Sequence, residues 1–538
     1  MLVCMSKSGE TARRAPGRDR GSKREWFIWG LGAMGVGLTA SLLNILLFHS
    51  YPILVPEVGI VWVILMACAL LFAIVLADVR FSIKVALGGF LALLLADWNM
   101  ASIDWPFVAG VAGLLFTYRM GVDFFRLVTV AFAVIGMTSL LGLGQDAERI
   151  ETVERELAPV EVAEEPPLLV HLILDEFEGV RGLDAMPGHE GEGEAMAASL
   201  MEHGFTVYDD AHTQYYHSVT SIPMFLNYGE LGESFGNSDV GGVTGATRWF
   251  SDLRAAGYDI DVVQSSFVDL CEGNEVQSCR TYWRENLQGI REAEVSTGDR
   301  ARLIFIHIGR QLVLALVYSG VIENIIDGNF LTGEISVHAP LKHRGEANTI
   351  NSVHELERVA DVVKDKGPGD AIVAHVLAPH FPYSHDEDCK TTPVTGWQTA
   401  WQSSSEETRA AAYVAQVRCV TGLIGRVADA ADAASGGNYV MIVNGDHGSR
   451  LGREMARWGM DQGSEAQWLH AGSTLFAVKL QTPAPGRMKG PASLAELLEG
   501  TDAGQAQVPH EPEGVPPTLL EPPDPDGRTF APIALDWQ

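Results

Sequence analysis

Seven consecutive residues, Val443-Asn444-Gly445-Asp446-His447-Gly448-Ser449, set a carboxylate beside an imidazole just after an apolar β-type run, Tyr439 to Val443. Carboxylate oxygens and imidazole nitrogens are ligands for divalent cations. A second acidic pair, Asp175-Glu176, ends another apolar run, Leu168 to Leu174. Two acids at a buried strand end cost free energy unless something positive meets them; the alternative is a solvated strand end that caps a helix. In open α/β sheets ligands gather beyond the carboxyl ends of strands. The two turns together therefore predict one metal site assembled from distant parts of the chain.

Three further segments add chemistry. In Tyr215 to Gly229, the hydroxyls of Ser218, Thr220 and Ser221 precede Ile222-Pro223. Pro favours the first turn of a helix, and a hydroxyl there meets the positive end of the helix dipole, where an anion is stabilised. That suits a nucleophile for a phosphate or sulfate ester, although plain N-capping uses the same residues. In Ala374-His375-Val376-Leu377-Ala378-Pro379-His380-Phe381-Pro382-Tyr383, two histidines stand at a strand exit, where they could contact substrate or metal. In Trp468-Leu469-His470-Ala471-Gly472, His470 is a candidate ligand or phosphate contact.

The elements that must position these groups alternate. Strands are expected at 168–174, 204–208, 259–264, 371–377, 439–443 and 473–480, and helices at 192–203, 246–256, 352–366 and 406–434. Such alternation predicts an α/β domain, 168–480, with a largely parallel sheet covered by helices on both faces. The apolar stretch 303–322 carries Arg310 and Gln311 at its middle, so a buried or membrane-facing amphipathic helix is expected there. Residues 481–538 are rich in Pro and Gly and read as an irregular tail.

Ahead of this domain lies a different kind of chain. Residues 1–25 form a basic tail, and five apolar stretches follow at 26–48, 58–77, 81–97, 104–118 and 125–143. Stretches near 20 residues cross a bilayer; the third and fourth are shorter and could form a re-entrant pair. The basic tail should remain cytoplasmic, Arg80, Lys84, Arg119 and Arg126 fall in inner loops, and five spans carry the rest of the chain outside. The expected location is therefore a cell (inner) membrane, multi-pass at 26–145, with the α/β domain periplasmic or extracellular. Residues 146–167 read as an acidic linker, partly helical. Cys271, Cys279, Cys389 and Cys419 all lie in the outer part. Disulfides suit an oxidising compartment; pairing neighbours would close one short and one longer loop, and three connectivities exist. Across its 538 residues the chain carries a formal charge of −30. That argues against nucleic acid, whose binding relies on Lys and Arg.

In this order the motifs resemble the alkaline phosphatase/sulfatase superfamily over about 168–480, and five spans before such a domain resemble membrane-anchored phosphoethanolamine transferases and lipoteichoic-acid synthases. The resemblance implies an alkaline phosphatase-like fold and metal ligation by Asp175, Glu176, Asp446 and His447. It implies one or two divalent ions, zinc or manganese most readily. Ser218 matches the nucleophile, because Ser221-Ile222-Pro223 resembles the Ser-Val-Pro that follows it, and Thr220 is a rival. His380 resembles the histidine that contacts the transferred group; His375 and His470 are expected on the substrate. The transferases usually carry Thr at the nucleophile. A formylglycine route would need Pro two places and Arg four places after it, where this chain has Thr220 and Ile222. The implied activity is transfer of a phospho-alcohol from a lipid head-group donor to an envelope acceptor through a phosphoserine, or hydrolysis of the ester. The alternatives are a sulfatase of the same fold and a non-catalytic envelope-binding membrane protein. No protein partner is expected beyond the lipid bilayer.

Overall fold

The computed structural model describes residues 21–97, 105–141, 151–158, 160, 162, 164–230, 236–238, 241–282, 287–318, 348–398, 404–449, 451, 465–480, 485–501, 518–519 and 533–534. The basic tail before residue 21, the start of the acidic linker, the end of the 303–322 stretch and most of the C-terminal tail lie outside them. The chain divides into two compact units, 1–147 with 304–335, and 148–303 with 336–538.

The first unit contains α1 (Lys23–Phe48), α2 (Pro56–Asp78), α3 (Phe81–Asp97), α4 (Trp105–Met120) and α5 (Val122–Leu140). Helix α1 starts at a capping box: the Ser22 hydroxyl accepts from the Glu25 amide while the Glu25 carboxylate accepts from the Ser22 amide. Pro56 opens α2, where its missing amide hydrogen costs nothing. Among the described residues three helices, α1, α2 and α5, are long and apolar enough to cross a membrane. Helices α3 and α4, 17 and 16 residues long, pack closely, and a Cβ on Gly113 would lie 2.8 Å from the Gly88 carbonyl oxygen. Small residues at such a crossing let backbones approach.

The second unit is built on a nine-stranded sheet. Its strands are β1 (Glu151–Glu154), β2 (Leu168–Leu174), β3 (Thr206–Tyr208), β4 (Asp259–Ser265), β5 (Ser278–Tyr282), β6 (Asp370–Val376), β7 (Tyr439–Gly445), β8 (Phe476–Lys479) and β9 (Gly486–Met488). They lie side by side in the order β1-β5-β4-β6-β2-β7-β8-β3-β9. The run β5-β4-β6-β2-β7 is parallel throughout; β1 and β8 run antiparallel to their neighbours. The expected largely parallel sheet is thus present. Strand β1 corrects the reading of the acidic linker as a spacer, because Glu151–Glu154 pairs with β5 at the sheet edge. A short, acidic edge strand of this kind resists pairing with other chains.

Alternation along the buried strands divides the core in two. Leu168, Val170, Leu172 and Leu174 of β2 pack with α6 (Glu192–Glu202), α10 (Asn348–Val363) and α11 (Glu406–Ser435). Leu169 and Ile173 pack on the other face with α7 (Ser218–Leu226) and α8 (Arg248–Ala255). Helices therefore cover both faces, as a parallel sheet requires. The 303–322 stretch begins within a single helix, α9 (Thr297–Tyr318). The disulfides join Cys271 to Cys279 and Cys389 to Cys419.

Helix α7 departs from expectation. It begins at Ser218, five residues ahead of Pro223, which lies inside the helix. The hydroxyls are in the first turn rather than before it. Proline removes one intrahelical hydrogen bond, tolerable in so short a helix. The Asn227 side chain then donates to the Pro223 carbonyl at 2.9 Å and closes the end.

Burial holds the imidazoles of His171, His212 and His385 down to about 4. Each is neutral in the fold and protonates near 6.5 once unfolded. Protons are then taken up on unfolding between those values, so their contribution is complete above pH 6.5 and declines as pH falls toward 4. The thermal midpoint should fall steadily from pH 7 to 5, each histidine removing about 1.4 kcal/mol per pH unit within the window. A flat midpoint over that range would contradict this assignment.

Candidate metal centre and nucleophile

The site begins with register. Leu174 of β2 is level with Val376 of β6 and with Gly445 of β7. The ladder continues one step, with the Asp175 amide donating to the Val376 carbonyl and the Asp446 amide to the Leu174 carbonyl, both at 3.0 Å. Adjacent strands lie about 4.8 Å apart. Asp175, the central one, is therefore within one strand spacing of both neighbours. Alternation places Asp175, His375 and Asp446 on the face that carries α7, and all three are buried. A donor atom from each lies within 4.8 Å of the others, and Asp175, Glu176 and His380 form a second such group.

His447 completes the cluster. Its Nδ1 donates to the Gly448 carbonyl at 2.8 Å, which fixes the tautomer and leaves Nε2 without a proton. Nε2 is 3.5 Å from Asp175 Oδ1, 3.6 Å from Asp446 Oδ2 and 3.5 Å from Ser218 Oγ. The four expected ligands are thus brought together, beside the expected nucleophile. Three buried carboxylates at this spacing repel by about 3 kcal/mol per pair even at an effective dielectric of about 20. Carboxylates of this number with a deprotonated imidazole nitrogen fit a divalent cation such as zinc or manganese.

Thr220 is separated from Ser218 by two residues, about 200° around a helix, so the two cannot share a face. Ser221, three residues on, does share it: its hydroxyl donates to the Asp446 carbonyl at 2.5 Å and bonds Thr213 Oγ1 at 2.7 Å. Ser218 is consequently the hydroxyl that meets the cluster, and Ser221 pins α7 to the Asp446 turn.

Several groups hold this arrangement. Glu176 sits at φ 62°, a left-handed conformation that costs a non-glycine residue about 1 kcal/mol or more. Its amide donates to Asp446 Oδ1 at 3.1 Å and its carbonyl accepts from Tyr413 Oη at 2.6 Å. Tyr413 Oη also accepts from the Glu178 amide at 3.0 Å. Gly445 and Gly448 bracket Asp446-His447 because a Cβ would fall 2.3 Å from the Phe177 carbonyl oxygen and 1.8 Å from that of His470. One face of α11 braces the histidine loop. Gln416 bonds the Pro379 carbonyl and the Ser384 amide, each at 2.8 Å, and Cys419 carries the disulfide to Cys389. Tyr413, Gln416 and Cys419 recur every three residues, as one helix face demands.

The remaining histidines differ. His380 Nε2 is 3.7 Å from Glu176 Oε1, at the open side of the cluster. Burial lowers the His375 imidazole to about 3, so it is neutral among the carboxylates. It lies with Asp175 and Asp446, the position of a ligand rather than of the substrate contact expected from sequence. His470, on α12 (Glu465–Gly472), meets Glu178 instead, Nδ1 to Oε1 at 3.2 Å. Burial lowers its pKa, but the Glu178 carboxylate outweighs that and holds it above the usual histidine value. Glu178 also accepts from the Ser449 hydroxyl. Glu178, Tyr413 and Gln416 carried no sequence signal beyond their types; Ser221 and Ser449 lay inside motifs, but their bracing contacts were not legible there.

No family model matches the sequence, and no curated protein does. Solved structures are similar in fold. The C-terminal periplasmic domain of EcEptC from Escherichia coli is 12% identical with a TM-score of 0.41, covering 72% of this chain and 95% of that one. The phosphonate monoester hydrolase of Agrobacterium radiobacter is 14% identical with a TM-score of 0.37, covering 67% and 82%. A protein in the alkaline phosphatase superfamily from Vibrio parahaemolyticus is 11% identical with a TM-score of 0.36, covering 64% and 67%.

Proposed function

We propose that the second unit is a metal-dependent phosphoester transferase or hydrolase, anchored in a cell membrane and facing outward, that acts on an envelope lipid or glycan. The observation that carries this reading is the approach of Ser218 Oγ to within 3.5 Å of His447 Nε2, inside a buried group of three carboxylates. Asp175, Glu176, Asp446 and His447 would hold the cation, with His375 in reach of the same position. A divalent cation there would lower the pKa of the Ser218 hydroxyl and neutralise charge on the phosphoryl oxygens.

The chain's own groups then do the following. Ser218 Oγ, its proton lost to water, forms a bond to phosphorus while the bond to the leaving alcohol breaks. His380, at the open side, gives that alcohol a proton. An acceptor hydroxyl, or water, then bonds to phosphorus as the phosphorus–Ser218 Oγ bond breaks; its proton passes to His380, and Ser218 Oγ regains a proton from water, which restores both groups. Glu176 is kept in place by Tyr413 throughout.

Ser218→Ala should lower phosphodiesterase turnover by about 10³-fold or more, while Thr220→Ala stays within about threefold of the parent. A phosphate adduct, trapped by acid quench and located by mass spectrometry, should map to Ser218. An adduct on Thr220, or equal losses in both variants, would overturn the assignment. Dialysis against a chelator should abolish turnover, and zinc or manganese should restore it; full activity of metal-free protein would rule out the cation's role. Tyr413→Phe leaves the Glu178 amide and Glu176 carbonyl without their shared partner. It should cost about 1–3 kcal/mol in unfolding free energy and reduce turnover alongside, measurable by denaturant titration.

A further inference from the structure

Glu178 is a further buried acid at the exit of β2, and it falls outside both groups of converging donor atoms. Its backbone is held by Tyr413, whose Oη accepts from the Glu178 amide at 3.0 Å. Its side chain has little room to turn, because a Cβ on Gly182 would lie 2.8 Å from Glu178 Oε2. A carboxylate in such a place needs partners, since removal from water is costly. It has three donors: His470 Nδ1 at 3.2 Å from Oε1, the Ser449 hydroxyl, and the Ser449 amide, which donates to Oε1 at 3.3 Å.

The amide contact leads to the cluster. The Ser449 N–H and the Gly448 carbonyl belong to one peptide unit, and that carbonyl accepts from His447 Nδ1 at 2.8 Å. A single planar amide therefore joins the Glu178 carboxylate to the His447 ring. The peptide dipole, about 3.5 D, has its positive N–H end at Glu178 and its negative carbonyl end at His447. A carboxylate at the N–H end draws electron density toward the carbonyl oxygen and makes it a stronger acceptor. Hydrogen bonds in such a chain strengthen one another by about 10–30% each. A stronger acceptor at Nδ1 makes Nε2 of the same imidazole a better donor to a cation.

The linking peptide is clamped in this orientation. The Gly448 amide donates to the Ala471 carbonyl at 3.0 Å. A Cβ on Gly448 would lie 2.5 Å from the Ser473 carbonyl oxygen, as well as striking that of His470. The end of α12 thus fixes one side of the peptide while Glu178 fixes the other. His470, on the same helix, sets an imidazole against the carboxylate, which lets Glu178 serve as an acceptor in the interior.

We propose, on the metal centre read above, that Glu178 is a positioning residue for His447, acting through the Gly448–Ser449 peptide to orient the ring and strengthen Nε2 as a ligand. The test uses the full chain in lipid nanodiscs with ring-nitrogen-labelled histidine. Zinc affinity is read by competition with a chelator, and the His447 Nδ1 proton by magnetic resonance on metal-free protein. Glu178→Gln keeps an oxygen for Ser449 and removes the charge. It should weaken zinc binding about tenfold and move the Nδ1 proton upfield, toward a weaker hydrogen bond. Ser449→Ala removes the hydroxyl bond to the same carboxylate and keeps the amide. It should hold zinc within about twofold of the parent and leave the proton in place. Zinc affinity within twofold of the parent in E178Q, an unmoved Nδ1 proton in E178Q, or an equal loss of affinity in S449A would each overturn the proposal; the last would mean that Glu178 only anchors the turn. Should E178Q not fold, the parent alone decides: zinc loading should shift the Ser449 amide resonance, and an unmoved amide would overturn the link. A parent that binds no zinc counts against the metal centre, and the Nδ1 proton, read without metal, then decides the role of Glu178 by itself.

Discussion

Charge repulsion at the carboxyl ends of three central strands is the constraint on which the site in the second unit depends. Strands β6, β2 and β7 are adjacent, parallel and in register, so whatever follows their last residues must share a few ångströms of buried space. The chain puts Asp175, Glu176 and Asp446 there. Carboxylates so placed cannot coexist as anions in a low-dielectric setting without a compensating positive charge. The surrounding structure does not disperse them. It holds them together, through Tyr413 on the Glu176 carbonyl, Ser221 on the Asp446 carbonyl, and two glycines that admit backbone where a Cβ would clash. Local strain at Glu176 is maintained by the same contacts, as is usual where a site is preorganised.

The braces come from one direction. Helix α11, on one face of the sheet, reaches the carboxyl ends of the central strands with Tyr413, Gln416 and Cys419, touching in turn the Asp175-Glu176 turn, the His380 loop and the disulfide to Cys389. A disulfide closing 30 residues is worth about 3–4 kcal/mol on the chain-entropy account. It ties the loop bearing His380 to a rigid element and fits an oxidising compartment, in keeping with the outward orientation read from loop charges.

Much of this was legible because period and chemistry coincide. Apolar runs, seven residues at Leu168–Leu174 and five at Tyr439–Val443, followed closely by acids mark buried strands and their exits, so β2, β7 and their turns stood out, as did helix α11 within one residue of its bounds. The order of strands followed less directly, since it depends on long-range pairing. That order is what turns His375 toward Asp175 and Asp446 and makes it a candidate ligand instead of a substrate contact. His470 was misplaced for a similar reason: its partner, Glu178, is 292 residues away. Pro223 misled because a proline normally marks a helix start, and here it sits mid-helix with Asn227 compensating. Glu151–Glu154 looked like spacer because its side chains are acidic, and edge strands tolerate such composition.

The most direct measurement is anomalous diffraction from crystals of the protein grown with zinc or manganese, collected at the metal's absorption edge. The account requires a peak about 2.0–2.3 Å from oxygens of Asp175 and Asp446 and from His447 Nε2, facing Ser218. An ordered, fully occupied crystal with no peak there, or with the metal bound elsewhere and the carboxylates paired to protein cations, would contradict it.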